Sequence, residues 1–598
     1  MRPTTGMTTG KTGRRWRYAA AAVGVATLVV ASACSNSPSS SSGAKSPASA
    51  SGSAGNSATL SFPRNETLYT SGTAYSPPVN WNPLDQGAYA TGTQGLIYEP
   101  LYLYDPVKGT YDSWLATGSE AAGWHGNSYV INVRSGVTWS DGQPLTGADV
   151  AYSINLARGN ATDPYSANVA TVASATASGN TVTVTFKGTP GYPEFTDYLW
   201  KAPVLPQHIW SKLSPSQIAT AANTNPVGTG PMTLDTANTQ EVAYQTKTGW
   251  WATKALGLSF KFKYLVDVVN SSNSQELGQL NAGNIDWSNN YLPGINLLAG
   301  AQQGNSGYTL KFYYDKSPYM LSGNTVWLEP NTAKAPMNNV NFRRALAYAL
   351  NPAAIAQSVY GGIAAPATPT GLLPTLKSAG FVNTTAEQQG GASYNPAKAR
   401  QLLAQSGYNG RTLSLEAPQG WSDWNTAQQV IAQELAAVGI KVQITMPAYN
   451  QRTADLTNGS YDLALDNNAS LDSSPWSYFQ RVYQLPIAKE QSTQLNWERF
   501  SSPADWSLVQ EAASTAPSDT AKLNQIYFTL EKDFLQQQPE IPLWYNGVWF
   551  QGNTQYWSNY PSSSGSNQYM PAMWANYIGA MTGVLGLAQL TPTPQKTS

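Results

Sequence analysis

A chain of 598 residues exceeds what one hydrophobic core usually organises, so two or three structural units are expected. With 41% hydrophobic and 11% charged residues it has the material for globular cores, and a collagen-like or wholly disordered polymer is excluded. The 34 basic and 34 acidic side chains balance, but Arg2, Lys11, Arg14, Arg15 and Arg17 all precede residue 34, leaving 29 basic against 34 acidic groups in a body without a basic stripe, which argues against nucleic acid as a partner.

Arg14-Arg15-Trp16-Arg17 leads into the small and aliphatic run Ala19 to Ala33. That run is short of the roughly 20 residues a membrane span needs, and its basic flank is the signal-peptide pattern. The arginine pair loosely resembles a twin-arginine signal, from which Arg17 and Tyr18 depart, so the export route stays open. Ala31-Ser32-Ala33-Cys34 resembles a bacterial lipobox, with Ala31 where that pattern favours Leu or Val. Residues 1–33 are therefore expected to be a signal peptide and Cys34 a lipidated first residue of the mature chain. Residues 35–57 are almost entirely Ser, Ala, Gly, Pro and Asn, a composition that buries no core. Residues 34–57 then form an anchor and tether with a root-mean-square reach of roughly 25 Å. Cys34 is the only cysteine, so the folded body relies on packing without a disulfide.

Beyond Leu60 short strands alternate with helices. Ser128 to Val133 alternates as a strand, and Gly136 to Trp139 continues into the turn Ser140-Asp141-Gly142. Thr146 is placed to cap a helix beginning at Ala148, with Asp149 in its first turn. Thr181 to Phe186 is a second clear strand. Asn341 to Leu350 sets Phe342, Ala345, Leu346 and Ala349 on one helical face, and Pro352 is expected to close it. Further helices are predicted from Pro396 to Leu403, from Thr426 to Val438 with Gly439 as its cap, and from Asn524 to Gln536. Ile440 to Ile444 reads as a strand. The tail after Gly579 is apolar and then Pro/Thr-rich, and is expected to fray. Helices interspersed with short strands indicate an α/β architecture.

Several segments, in order over about 400 residues, resemble family 5 solute-binding proteins, the oligopeptide- and dipeptide-binding group of ABC importers. They are Asn82-Pro83-Leu84 with Leu96 to Leu101, the long Tyr129 to Val150 run through Trp139-Ser140-Asp141-Gly142, Leu205 to Trp210, Pro226 to Pro231, Ala282 to Asp286, Asn331 to Ala349, Tyr394 to Ala399, and Tyr461 to Ala464. The resemblance implies a two-lobe periplasmic-binding-protein-like fold of the large class II type, with ligand enclosed between lobes joined by two crossover strands. Lobe I would combine residues 58–97, 203–322 and 541–598, an inserted subdomain would take 98–202, and lobe II 323–540. It also implies an ABC permease in the membrane as partner, a monomer, and no cofactor. Gly228-Thr229-Gly230, Asp141 and Asp149 read as scaffolding of that fold.

The same resemblance suggests where ligand is touched: Gln86 and Tyr89 after the first strand, Trp421 and Trp424 before a helix of the second lobe, and Tyr449 after the strand ending at Thr445. Asn467, Asn468 and Trp476 follow the Tyr461 to Leu465 strand, and Trp544 and Tyr545 stand at the return to the first lobe. Ordinary core packing would serve any single one of these aromatics as well. Replacing Trp424 or Trp544 by alanine is expected to weaken binding without unfolding. Peptide-binding members place an Asp after the Tyr461 to Leu465 strand to meet the ligand's α-ammonium, since a buried ammonium without a partner is costly. Here Asp466 comes early and Asp472 aligns only across a gap. Neutral amides with 20 Trp and 34 Tyr suit hydroxyl-rich ligands, because sugar rings stack on aromatics. Trp557 to Pro561 and Met570 to Trp574 also resemble an oligosaccharide-binding branch. Peptide and oligosaccharide stay side by side as ligand classes, peptide ahead only on its frequency in the family. For a hydrolase the chain offers just His125 and His208 as imidazole bases, no Gly-x-Ser-x-Gly elbow, and no His/Cys cluster with metal spacing, so neither catalysis nor a metal is expected.

Overall fold

The computed structural model describes residues 62–72, 79–85, 89–298, 302–303, 308–378, 380–468, 471–489, 495–572 and 577–594. The expected signal peptide, Cys34, the tether and Gln86 lie outside the described residues. Leu60–Ser598 forms one compact unit.

Two mixed sheets carry the α/β fold. The first is centred on Thr67–Ser71, parallel to Tyr264–Val268 and to Trp287–Ser288. Glu241–Thr246 and Met232–Ala237 extend it on one side, and Gln551–Asn553, Tyr308–Lys311 and Gln302–Gln303 on the other. The second sheet runs Val442–Thr445, Leu413–Glu416, Leu463–Asn468, Leu321–Pro330, Ile541–Val548 in space. Its last two strands pair antiparallel from Leu321↔Val548 to Leu328↔Ile541. The chain enters this pair from Tyr308–Lys311 and leaves it into Gln551–Asn553, so these strands are the two crossings between the sheets. Ile541–Val548, which the sequence reading grouped with the first lobe, is thus an edge strand of the second sheet. All eight of its residues are buried, which explains its continuous apolar run in place of alternation.

A third sheet lies within residues 98–202: Ala116–Thr117, Ser128–Val133, Thr181–Phe186 and Val172–Ser178 in spatial order, with Trp124–His125 paired to Ser128–Val133. Tyr129, Ile131 and Val133 point inward from one strand and Val182, Val184 and Phe186 from its partner, the half-buried alternation that made both legible. Helix Gly147–Gly159 packs on this sheet and begins with a capping box, the Thr146 amide donating to Asp149 Oδ2 at 2.9 Å. Asp149 Oδ1 accepts the Gln207 amide at 3.0 Å, and His208 Nε2 lies 2.7 Å from Asp141 Oδ2. These motif residues tie one segment of the scaffold to another.

Three expectations are corrected. Pro352 does not close the helix Val340–Ala349; with Asn351 as cap it opens the next one, Pro352–Tyr360, where proline at the first turn loses no hydrogen bond. The helix predicted from Thr426 begins at Ser422 and so takes in Trp424. As far as residue 594 the tail is packed and not frayed: Tyr577–Ala588 is a helix packed against residues 93–97 and Tyr102–Asp105, and Val584, Leu585, Leu587 and Leu590 are buried. Thr591–Pro592 then pairs with Trp557–Ser558.

Gly228 and Gly230 lie against the backbone of Leu96 and Ile97. A Cβ on Gly228 would stand 1.9 Å from the Ile97 carbonyl oxygen, and one on Gly230 2.2 Å from that of Leu96. The Gly230 amide donates to the Ile97 carbonyl at 2.9 Å, so the contact is also a hydrogen bond. Gly228→Ala should destabilise the body by about 2–3 kcal/mol, read as a lower urea midpoint at unchanged slope.

Candidate functional site

Helix Ser422–Val438 presents Trp424, Ala427, Gln428, Ile431, Leu435 and Val438 to the core at helical spacing. That periodicity drives Trp424 fully inward and leaves Trp421, one turn earlier, at the surface with 38% of its area exposed. Trp421 meets Trp424 edge-on at 4.7 Å and stacks with Tyr449 at 5.9 Å. Tyr449 opens helix Tyr449–Asn458 and is 52% exposed. Behind them Trp424 contacts Trp544 of the crossover strand at 6.3 Å, and Trp544 contacts Tyr360 at 5.9 Å. Tyr360 continues to Trp549 at 5.7 Å and to Tyr291 at 5.4 Å. Tyr291 follows the first-sheet strand Trp287–Ser288, so an unbroken run of rings passes from one sheet to the other.

Between Tyr291 and Trp421 opens a hollow of about 430 Å³, lined also by Ser271, Ser272, Asn273 and Asp423. The Tyr360 hydroxyl donates to Asp423 Oδ2 at 2.8 Å, and Trp544 Nε1 donates to Asn546 Oδ1 at 3.0 Å. Burial raises the Asp423 carboxyl above its ordinary range, against the opposing Tyr360 hydrogen bond. The hollow thus offers ring faces, hydroxyls, an amide and one carboxylate, the mixture by which a mostly apolar site orients a polar ligand. A second hollow of about 550 Å³ lies beside the crossover strands, with Tyr314, Asp315, Lys316 and Ser563 on its first-sheet side and Ser322 and Thr375 on the other. Both volumes are in the range of small-molecule sites.

The remaining predicted residues are dispersed. Tyr89 is half-buried in the first-sheet loop, its amide donating to the Asp85 carbonyl, and it lines neither hollow. Asn467 Nδ2 reaches Asn324 Oδ1 at 3.4 Å within the second sheet, and Asn468 pairs through its backbone with Thr325. Trp476 is buried in a helical cluster, its Nε1 donating to the Val509 carbonyl at 3.2 Å. The Tyr545 hydroxyl is buried and donates to the Leu372 carbonyl at 2.9 Å. The sequence reading missed Tyr291, Tyr360, Asp423 and Trp549. Asp423 stood between two predicted tryptophans and was the one with a local signal.

Both acidic residues weighed for an α-ammonium are paired internally. Asp466 lies in Leu463–Asn468, 2.8 Å from the Arg452 guanidinium. Asp472 Oδ1 is 3.0 Å from Lys201 Nζ, and its Oδ2 accepts from the Ser477 hydroxyl. Lys201 ends the inserted-segment helix Tyr192–Lys201 and also holds Asp197 at 2.7 Å, so one ammonium serves two carboxylates.

The model of bacterial extracellular solute-binding proteins, family 5, matches residues 110–488. A periplasmic oligopeptide-binding protein of an oligopeptide ABC transporter from Thermotoga maritima is 32% identical, with 89% of this chain and all of that one covered at a TM-score of 0.82. A second structure of that protein, bound to mannohexaose, superposes with a TM-score of 0.78. The glutathione-binding protein GsiB of Escherichia coli is 26% identical over 70% of this chain and 77% of its own. The probable ABC transporter periplasmic-binding protein SapA of Escherichia coli is 30% identical over 224 residues, and that match spans 39% of its length. Two lobes linked by a paired crossing, with hollows at the joint, define a binding protein of the two-lobe periplasmic type. The chain belongs to the family 5 extracellular solute-binding proteins of ABC transporters.

The burial of Trp424 and Trp544 alters what their replacement should do. Trp424→Ala should cost about 3–5 kcal/mol of stability through the cavity it leaves. Trp421→Ala, at the surface, should cost less than about 1 kcal/mol. Chemical denaturation of the two variants separates them.

Proposed function

We propose that the protein captures a neutral oligosaccharide, of the manno-oligosaccharide kind, between its lobes and hands it unchanged to an ABC permease. The observation that carries this reading is the internal pairing of Asp472 with Lys201 and of Asp466 with Arg452. At either of these two aspartates a peptide's α-ammonium would have to displace a cation already in place. A sugar asks for flat ring faces and neutral hydrogen-bonding groups, which Trp421, Tyr449, Tyr291 and Ser271 to Asn273 supply. The mannohexaose held by a relative of 32% identity supports the same ligand class. An oligopeptide is the second reading, supported by the oligopeptide- and glutathione-binding descriptions of relatives.

In the mechanism we infer, the ligand touches both lobes and shifts an open–closed equilibrium by its greater affinity for the closed form. The crossover strands are the joint about which the lobes move, and the closed form is the one the permease meets. No bond of the ligand changes. The protein acts as a monomer outside the cytoplasm, held to the membrane by a lipid on Cys34, a reading that rests on the basic, apolar and lipobox-like order of residues 14–34.

Calorimetric titration of the full chain with mannohexaose, cellohexaose and a hexapeptide tests the ligand. Mannohexaose should bind saturably and be recovered intact, with affinity at least about tenfold weaker in Trp421→Ala. Binding of the hexapeptide alone would replace the sugar by the peptide. For the anchor, mass spectrometry of the mature amino terminus should find a diacylglyceryl-cysteine, and Cys34→Ser should release the protein from membranes.

A further inference from the structure

The second lobe holds a group of carboxylates for which ligand capture has no use. Glu329 stands near the end of Leu321–Pro330 and Glu540 just before Ile541–Val548, and the register Leu328↔Ile541 sets them side by side where the crossover pair is rooted. Glu498 comes from the segment 495–502, whose backbone is fastened to the same place by the Thr332 amide donating to the Glu498 carbonyl at 2.8 Å. Asn496 stiffens that segment by donating to the Gln484 and Phe500 carbonyls at 2.9 and 2.8 Å. One carboxylate oxygen from each of the three glutamates lies within 4.8 Å of the others, and none of the residues is more than 3% exposed.

A second observation is independent of this clustering. Glu329 Oε2, Glu498 Oε1 and Glu540 Oε2 are each buried without a hydrogen-bond partner, whereas Glu329 Oε1 accepts from Trp327 Nε1 at 3.0 Å. Buried polar atoms are normally satisfied, and three orphaned acceptors on one cluster call for something positive among them. Of the neighbouring guanidiniums, Arg452 gives Nη2 to Asp466 and keeps a buried Nε without a hydrogen-bond partner, and Arg499 binds the carbonyls of Leu456, Thr457 and Trp497; both attract Glu329 at a distance without hydrogen-bonding its free oxygen. Arg481 lends Coulombic attraction at Glu540. Ionised carboxylates no more than 4.8 Å apart repel by at least roughly 3 kcal/mol even at an effective dielectric constant of about 20. Burial first, and then repulsion from neighbouring acids, pushes Glu329 up to about 8 and Glu498 and Glu540 well above the carboxylate range.

A shared proton would draw two oxygens to about 2.5–2.7 Å and remove the orphans. A cation placed among the three would satisfy all of these oxygens at once. Calcium accepts sets of protein oxygens at about 2.3–2.6 Å, whereas magnesium dehydrates reluctantly and usually keeps waters, so a dry cluster of this kind favours calcium. We propose that Glu329, Glu498 and Glu540 form a structural site for a hard divalent cation of calcium's size, at the root of the two crossover strands. The ion would join both strands and the 495–502 segment into one rigid base in the second lobe. Spacing along the chain could not reveal such a site, since its ligands come from three distant segments and include no His or Cys.

The test uses the full chain, dialysed against EDTA, with metal content by plasma mass spectrometry before dialysis and thermal unfolding with and without added calcium chloride. The purified protein should carry close to one calcium. Calcium about a hundredfold above its Kd should raise Tm by roughly 2–3 °C, with magnesium less effective. Glu329→Gln, Glu498→Gln and Glu540→Gln should each abolish that rise. Because glutamine matches glutamate in size and leaves no charge to bury, the metal-free variants should melt no lower than the metal-free parent, so loss of the calcium response is not loss of the fold. Absence of copurified metal together with no calcium shift in the parent would overturn the proposal. So would a shift that persists undiminished in all three variants.

Discussion

The architecture depends on one antiparallel pairing, that of Leu321–Pro330 with Ile541–Val548. These strands are edge and inner member of the second sheet and also the two covalent routes to the first. A two-stranded hydrogen-bonded joint resists shear and extension but bends across its width, the mechanical property a hinge needs. Irregularities in the ladder between Ser322 and Asn324, and between Val326 and Trp327, break its regularity at two points along that joint.

The candidate site grows from the same joint. Trp544 lies on the crossover strand and Trp549 directly after it, and through Tyr360 and Tyr291 they pass contact from the second sheet to the first. The buried rings set the pose of the exposed ones: Trp421 is held edge-on by Trp424, which the helix periodicity fixes in the core. Stiff aromatic support of this kind lowers the entropy lost when a ligand is gripped. The carboxylate triad sits at the other end of the same pair, next to Leu328↔Ile541, so binding and rigidity are served from opposite ends of one ladder.

What could be read from the residues is what local physics decides. Thr181–Phe186 alternates because one face is buried, and Thr146 with Asp149 marks a helix start because capping is a short-range hydrogen-bond matter. Trp421 caps its helix without a side-chain hydrogen bond, so nothing announced a start at Ser422, and Trp424 was placed outside the helix that buries it. The terminal apolar run was read as frayed because the surface that covers it, residues 93–105, is remote in the chain. Asp472 was recognised as out of alignment, yet its partner Lys201 is 271 positions away, and no pattern along the chain joins them. The motifs did carry the family, and turns such as Gly228 to Gly230 are demanded here by close backbone approach.

The cluster of Asp197, Lys201 and Asp472 has an electrical consequence. It ties a helix of the inserted segment to the loop after Leu463–Asn468, with one ammonium between two carboxylates. If the two sides part, Lys201 stays with Asp197, its neighbour one turn away on the same helix, and Asp472 gives up the ammonium while keeping the Ser477 hydroxyl. Dissolved ions shield a charge exposed in that way far better than one sealed inside. The work of parting this contact therefore falls as the surrounding medium becomes saltier.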